Sequence, residues 1–551
     1  MAVLPPNVSA EAFQSAIREL ADAVGPEWVF TSDEDLEPYR DPYSPMRDTP
    51  RELLASAAVA PASVEQVQQI VRIANKYKTP LYPISTGKNY GYGGASPNLS
   101  GSIIVDLKRM NRILRVDDER NFALVEPGVT YFDLYRYIQE RGLKVWIDCA
   151  DVGWGGLVGN ALDRGMGYTM PFFREHANAI CGLEVVLPNG EIMRTGMGAL
   201  PGADTWQEYR HGYGPDPAGL FPQGNFGIVT KMGFRLMPQP EHYRTGLIRI
   251  PKRRDLIPAI KIVNYLSDSH MIGEVFYESP LRALLGDAGF RDAANRRGGA
   301  DDAELDRYAA EAKLPAWQIE LQFYGPEKTC LANWEYAKER FEREIPGATF
   351  VDGESLDVPL TEEQLYNPKP WFRNGLWHRL ASQGIPSMDA WSLVNSRSPA
   401  NPDGEVVAHA GFFPIIPRSG EAVFKAQRVF GDAFHDLGLP PFNAALSTPL
   451  VWAMFAYQMV FPVPDGDLER AHRVLLHLIR VGAENGFGDY RAPPMYQDLV
   501  SSTYSFGGNA LRRFHETLKD AIDPNGILAP GRGGVWPSAY SQYRLDWDRE
   551  A

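Results

Sequence analysis

A chain of 551 residues, 44% of them hydrophobic and 23% charged, has enough apolar material for two or three globular domains. Its 55 Lys and Arg against 69 Asp and Glu give a net charge of −14, which argues against binding to nucleic acid or to an anionic membrane surface. No run of about 18 apolar residues occurs and no basic segment leads into an apolar one, so we expect neither a membrane span nor a secretory signal. Three scattered cysteines, Cys149, Cys181 and Cys330, fit neither a disulfide framework nor a metal cluster and favour a reducing cytoplasm.

The first 240 residues predict alternating helices and strands. Ser63 caps a predicted amphipathic helix that runs to Tyr77, and Thr130 opens another that we expect to end at Gly142. The sequence Pro188-Asn189-Gly190 predicts the tight turn of a hairpin. Further strands are predicted at 80–84, 102–107, 123–126 and 228–236.

After Pro238 glycine-rich segments become less frequent, and the next one of the earlier type is near the C-terminus, at 523–532. Between these points we predict a charged surface helix or loop at 296–313 and long helices at 421–437 and 468–485. The pattern predicts an α+β chain in which both ends form one domain and a second domain is inserted between them. The predicted boundaries are 1–240 with 490–551 for the first domain and 241–489 for the second.

The segment Ser85-Thr86-Gly87-Lys88-Asn89-Tyr90-Gly91-Tyr92-Gly93-Gly94 follows a predicted strand directly. Glycine allows the backbone to approach a ligand closely, and successive free N–H groups can hold a phosphate. By itself the segment could also be an ordinary glycine-rich turn. Three more glycine clusters, at 126–130, 153–160 and 165–169, suit a long diphosphate-bearing cofactor. None of them follows the Gly-x-Gly-x-x-Gly pattern with a downstream acid, so NAD is not the first choice.

Taken together, segments 85–94, 125–130 and 159–169 and the tail 523–536 resemble the vanillyl-alcohol oxidase family, and within it the members that oxidise 4-alkylphenols. The resemblance covers the chain from around residue 50 to the C-terminus and is weakest in the middle. It implies an FAD-binding domain of two α+β subdomains formed by both chain ends. It also implies an inserted α+β cap domain, which binds the substrate over the flavin ring.

The resemblance implies a substrate site as well. Tyr92, Tyr490 and Arg491 would bind a phenol as its phenolate, which a guanidinium and tyrosine hydroxyls favour. Without the resemblance, an exposed surface pair would be the simpler interpretation of Tyr490 and Arg491. Asp151 would act as a base near the flavin, with Asp148 as its close competitor.

The resemblance also implies how the cofactor is held. His409, in an otherwise apolar run, would carry a covalent bond to the flavin, although a buried core histidine is the alternative. The other positions that it assigns to FAD are Ser85, Thr86, Gly87, Lys88, Asn89, Tyr90, Gly91, Gly93, Pro127, Gly128, Gly155, Gly156, Gly159, Asn160, Gly167, Tyr168, Gly227, Ile228, Val229 and Arg532.

The implied activity is FAD-dependent oxidation of para-substituted phenols, by hydride transfer to the flavin through a p-quinone methide, with oxygen reduced to hydrogen peroxide. Ala150, beside the flavin edge, leaves open a dehydrogenase or hydroxylase that passes electrons to a cytochrome or an azurin-like protein. A non-catalytic flavin-binding subunit would not need the phenolate residues, and neither would an enzyme acting on 2-hydroxy acids or sugars. We expect a homodimer or larger homo-oligomer and no metal.

Overall fold

The computed structural model describes residues 3–89, 91–150, 152–361, 363–364, 380–388, 408–438, 450–451, 456–457, 459–463 and 468–547, and for 408–410, 450–463 and 468–470 within these only the backbone. The strands are Val29–Phe30 (β1), Ala57–Val59 (β2), Leu81–Ile84 (β3), Ile103–Asp106 (β4), Ile113–Asp117 (β5), Phe122–Val125 (β6), Val145–Trp146 (β7), Ile180–Val186 (β8), Ile192–Arg194 (β9), Ile228–Arg235 (β10), Met237–Pro238 (β11), His242–Ile250 (β12), Val275–Glu278 (β13), Trp317–Gly325 (β14), Thr349–Asp357 (β15), Ala408–Phe412 (β16), Leu450–Val451 (β17), Ala456–Tyr457 (β18) and Met459–Val463 (β19). The helices are Ala10–Val24 (α1), Asp33–Leu36 (α2), Val64–Tyr77 (α3), Tyr131–Arg141 (α4), Leu157–Leu162 (α5), Pro171–Arg174 (α6), His176–Ala179 (α7), Leu256–Asp268 (α8), Ala288–Ala294 (α9), Asp302–Ala312 (α10), Glu327–Glu344 (α11), Gly420–Asp436 (α12), Leu468–Glu484 (α13), Gln497–Thr503 (α14) and Phe506–Ile522 (α15).

The larger sheets of the described chain have the strand orders β1-β2-β4-β3, β5-β6-β10-β8-β9 and β13-β14-β12-β15. In the first sheet β2, β4 and β3 are parallel, whereas the other two sheets are antiparallel throughout. On β14 alternate residues from Trp317 to Phe323 are fully buried in one core cluster with α8 and α11, as the two-residue period of a strand requires. No helix in the part of the chain described above is long and apolar enough to cross a membrane.

The predicted helices and strands are confirmed to within a few residues. The Ser63 hydroxyl accepts a hydrogen bond from the Gln66 N–H at 3.3 Å, so it caps α3 as expected. The sequence also predicts Gln66 as the capping-box partner of Ser63, but the Gln66 side-chain oxygen accepts from the N–H of Ala62 instead of from that of Ser63. At α4 the capping box is complete, because Thr130 and Asp133 each accept from the backbone of the other.

The C-terminal tail joins the first sheet at the edge of β3. The Leu81 N–H donates to the Ile527 carbonyl and the Ala529 N–H donates to the Leu81 carbonyl, both at 2.7 Å. Both ends of the chain therefore meet at the strand that leads directly into the glycine-rich segment 85–94.

A fully buried lysine secures this junction. The Lys519 ammonium donates to the carbonyls of Asn225 and Leu528 at 2.6 and 2.7 Å, and it lies 2.7 Å from the Asp523 carboxylate. Burial lowers the pKa of Lys519, although Asp523 opposes that shift. A buried charge of this kind is tolerated only because all of these partners surround it.

We expect Lys519→Met to lower the free energy of unfolding by about 3–5 kcal/mol, because it leaves a buried carboxylate without its counter-ion. Urea unfolding followed by tryptophan fluorescence measures this change. Lys76→Met is the matched control, since the Lys76–Glu19 pair is exposed to solvent and its loss should leave the midpoint unchanged. Equal midpoints for the two variants would contradict a tethering role for Lys519.

Candidate functional site

The glycine-rich segment is closed by one asparagine side chain. Asn89 Oδ1 accepts from the N–H groups of Tyr92 and Gly94 at 3.0 and 2.9 Å, and its amide donates to the Gly94 carbonyl at 2.8 Å. Gly93 has φ +100°, and a Cβ there would lie 2.1 Å from Pro494 Cδ. The segment therefore packs against the loop that contains Pro494, with Tyr92 next to the contact.

The start of the same segment leaves backbone donors free. Among the described residues, the N–H groups of Thr86, Gly87 and Lys88 have no hydrogen-bond acceptor. The Thr86 hydroxyl accepts from the N–H of Gly156 at 3.2 Å, which joins this segment to the glycine cluster that opens α5. A Cβ on Gly156 would lie 2.0 Å from Ser85 Oγ, so only glycine permits this approach.

Neighbouring predicted cofactor positions pack equally closely. The Ser85 hydroxyl donates to the Pro127 carbonyl, and a Cβ on Gly159 would lie 2.8 Å from Ser85 Cβ. A Cβ on Gly128 would lie 2.6 Å from the Lys108 carbonyl. Two glycine-rich loops in contact, one of them with free N–H groups, fit the diphosphate of a dinucleotide cofactor.

A second cluster forms around Arg491. Its guanidinium carbon lies 3.8 Å from the centre of the Tyr92 ring, which packs against Phe413 with ring centres 5.3 Å apart. Burial raises the pKa of Tyr92 well above its usual value, and the Arg491 charge opposes that shift. Burial also raises the pKa of Tyr490 to about 12, against the charge and hydrogen bonding of Arg491. The structure therefore brings together all three residues predicted to bind a phenolate.

Asp163 joins this cluster to a second arginine. Its carboxylate accepts from Arg491 Nε at 3.1 Å and from Arg532 Nη2, and Arg532 Nη1 lies 3.5 Å from the Tyr82 hydroxyl. Arg532, predicted to bind the cofactor, thus lies in the same ion cluster as the phenolate residues. No sequence pattern singles out Asp163, although it stands inside the glycine-rich segment 159–169.

Asp489 supports the turn that carries Tyr490 and Arg491. Its Oδ1 accepts from the Arg491 N–H at 3.2 Å, and its carbonyl accepts from the Tyr504 hydroxyl at 2.9 Å. Burial raises the pKa of Asp489 to about 7, although backbone N–H groups of Arg491, Phe413 and Tyr490 lower it. These contacts fix the backbone beneath Arg491.

Asp148, the competitor for the role of base, is fully engaged in a buried network. It accepts from His176 Nε2 at 2.8 Å, from the Thr169 N–H at 2.9 Å and from the Thr169 hydroxyl. His176 Nδ1 in turn lies 2.5 Å from the Asn160 amide oxygen. A Cβ on Gly167 would lie 1.3 Å from Asp148 Oδ1, so Gly167 makes room for this network.

The remaining predicted cofactor positions are packed in the protein core or lie outside the described residues, apart from Gly91. Ile228 and Val229 are core residues of β10, and a Cβ on Gly227 would lie 2.3 Å from Val185. Gly91 adopts φ +82°, while Tyr168 is buried and its carbonyl accepts from Tyr324 at 3.5 Å. Asp151 and Tyr90 lie outside the described residues, and of His409 only the backbone, on β16, is described.

Comparison with known proteins agrees with this geometry. A family model described as FAD binding domain matches residues 55–196. Over 540 residues the chain is 32% identical to the 4-cresol dehydrogenase (hydroxylating) flavoprotein subunit of Pseudomonas putida, covering 97% of this chain and 98% of that protein. The chain belongs to the vanillyl-alcohol oxidase family. As a member it is an FAD-binding oxidoreductase.

Two solved structures share the fold of this family member. The 4-ethylphenol oxidase from Gulosibacter chungangensis, in complex with isoeugenol, superposes with a TM-score of 0.80 at 33% identity. The p-cresol methylhydroxylase with substrate bound gives a TM-score of 0.80 at 31% identity. Each alignment covers 97% of this chain and 99% of the other chain.

We expect Gly156→Ala to lose most of its FAD, because the new Cβ would push the two glycine-rich loops apart. The ratio of visible flavin absorbance to protein absorbance measures the FAD bound per chain. Gly219→Ala is the control, since a Cβ there meets no atom within 4 Å and should leave flavin content unchanged. If folded Gly156→Ala protein carries the same flavin as the control, these loops do not hold the cofactor.

Proposed function

We propose that this chain oxidises para-substituted phenols, including 4-alkylphenols and 4-hydroxybenzylic or allylic alcohols, with oxygen as the electron acceptor. One observation carries the proposal: the guanidinium of Arg491, whose side chain is only 10% exposed, lies over the Tyr92 ring, 3.8 Å from its centre, beside Tyr490. The relatives named above, which act on 4-cresol, 4-ethylphenol and p-cresol by their names, support the same substrate class.

The cluster is suited to an aromatic anion. In a buried site the positive charge of Arg491 acts through a low dielectric and favours the ionised form of a phenol, which lowers its pKa. The two tyrosine hydroxyls add hydrogen bonds to the same oxygen. A site for 2-hydroxy acids or sugars would not need this pair of tyrosines.

Ionisation prepares the substrate for oxidation. When bound, FAD supplies a two-electron acceptor for a hydride. Loss of hydride from the para side-chain carbon of a phenolate leaves a neutral p-quinone methide, so the negative charge held by Arg491 provides the electron density that expels the hydride. Water then adds to give an alcohol, or a proton leaves to give an alkene or, from a benzylic alcohol, an aldehyde.

We assign the base that directs the second step to Asp151. The buried network around Asp148 supports this choice, because His176 and Thr169 already occupy both oxygens of that carboxylate. Replacing Asp148 would therefore break hydrogen bonds in the protein core, so a loss of activity in such a variant would not identify Asp148 as the base.

We also propose how the cofactor and the domains are arranged. Residues 1–240 and 490–551 would form a two-subdomain FAD-binding domain, and 241–489 the cap; the pairing of the tail with β3 supports this division. His409 would carry the covalent flavin bond. We further propose a cytoplasmic homodimer or larger homo-oligomer.

A second candidate acceptor is a small redox protein, because the dehydrogenase flavoprotein subunit is as similar in sequence as the oxidase. Anaerobic reduction with 4-ethylphenol, followed by rapid mixing with oxygen or with cytochrome c, separates the two. Fast reoxidation by oxygen supports an oxidase. If only cytochrome c reoxidises the flavin, a redox protein and not oxygen is the electron acceptor. If 4-ethylphenol does not reduce the flavin, the phenol-oxidising function is refuted.

We expect Arg491→Leu to lower kcat/KM for 4-ethylphenol by about 10²–10³-fold, since it removes the charge that stabilises the phenolate. Flavin content should stay at the wild-type level. Arg141→Leu is the control, because Arg141 is exposed on α4 and should leave kcat/KM unchanged. An unchanged rate in Arg491→Leu would show that the phenol oxygen binds elsewhere.

A further inference from the structure

The Asp163 carboxylate forms ion pairs with two arginines of the candidate site. One carboxylate oxygen accepts from Arg491 Nε and the other from Arg532 Nη2, and each of these side chains is less than a fifth exposed. We propose that Asp163 is the positioning residue that orients Arg491 toward the phenol oxygen, an inference that rests on the proposed function.

The choice of nitrogen matters for this role. Asp163 binds Arg491 through Nε, and no carboxylate among the described residues is hydrogen-bonded to either terminal nitrogen of the guanidinium. Both nitrogens therefore remain available for Tyr490 and a ligand oxygen. An arginine side chain has many rotamers, and orienting its planar group costs conformational entropy unless a fixed partner holds it. The guanidinium carbon of Arg491 lies 3.8 Å from the centre of the Tyr92 ring, and the hydrogen bond from Nε to Asp163 gives the group a second fixed contact.

Asp163 is itself held firmly. Its backbone N–H ends α5 by donating to the carbonyls of Gly159 and Asn160 at 3.0 and 3.2 Å. Arg532 binds its second carboxylate oxygen and reaches toward the Tyr82 hydroxyl on β3. The carboxylate therefore has one available orientation.

Helix α5 thereby connects the two halves of the site. Its first turn follows Gly156, which contacts Ser85 and Thr86 of the proposed cofactor loop, and its last turn delivers Asp163 to Arg491. Because α5 has only six residues, Gly156 and Asp163 stand at the two ends of fewer than two helical turns. Asp163 thus ties the position of the phenolate site to that of the cofactor loop.

The test compares two ligands that cannot be oxidised, 4-chlorophenol and its methyl ether 4-chloroanisole, by titrating the flavin absorbance of the holoenzyme. In Asp163→Asn we expect the dissociation constant of 4-chlorophenol to rise about 10–100-fold, because Arg491 is no longer aimed at the phenol oxygen. The dissociation constant of 4-chloroanisole, which carries no ionisable oxygen, should change little. A merely structural role would weaken both ligands alike or reduce flavin content.

Asp117→Asn is the matched control, because Asp117 also bridges two arginines, Arg115 and Arg120, but lies at the end of β5. It should keep the wild-type preference for the phenol. An unchanged or stronger preference in Asp163→Asn would overturn the positioning role, and Asp163→Ala serves the same comparison if the first variant does not fold. If wild type itself shows no preference for 4-chlorophenol, the proposed function fails rather than the role of Asp163.

Discussion

The candidate site depends on keeping the guanidinium of Arg491 charged while it is removed from water. Burying an isolated charge is prohibitive, so the fold must supply partners from distant parts of the chain. Tyr92 offers its ring face, Asp163 a carboxylate and Asp489 the support beneath the backbone. Arg532 shares the Asp163 carboxylate, so two guanidinium groups face one carboxylate and one positive charge is left for a further anion. An aromatic anion fits the tyrosine-lined surroundings. The phenolate binding that we propose rests on this electrostatic constraint.

The glycine-rich segments make that arrangement possible. The close approach of the Gly156 backbone to the side chains of Ser85 and Thr86 brings α5 and the segment that carries Tyr92 to the same region. The buried hydrogen bonds of Asp148 and His176 to Thr169 and Asn160 hold both ends of the neighbouring segment 159–169. The glycine-rich loops and the cluster around Arg491 are therefore neighbouring parts of one packed region.

The sequence predicts the elements better than the contacts between them. Capping residues such as Ser63 and Thr130 predict where α3 and α4 begin, because a cap interacts with residues close to it in sequence. The predicted strand and helix positions are correct to within a few residues. The family resemblance singles out Arg491, but not Asp163, because a hydrogen bond between residues 328 positions apart leaves no local pattern. For the same reason the resemblance, which assigns Arg532 to the cofactor, does not show that its side chain also binds Asp163. The engagement of Asp148 likewise depends on a histidine 28 positions away.

The most direct test of this account is the pKa of a phenol bound in the site. 4-Nitrophenol reports its own ionisation by visible absorbance, so its pKa can be titrated both free and bound to the holoenzyme. The account predicts a bound pKa below the free value, because Arg491 and the tyrosine donors stabilise the anion. Burial without a cation would shift the pKa in the opposite direction, so a bound pKa equal to or above the free value would contradict the phenolate site.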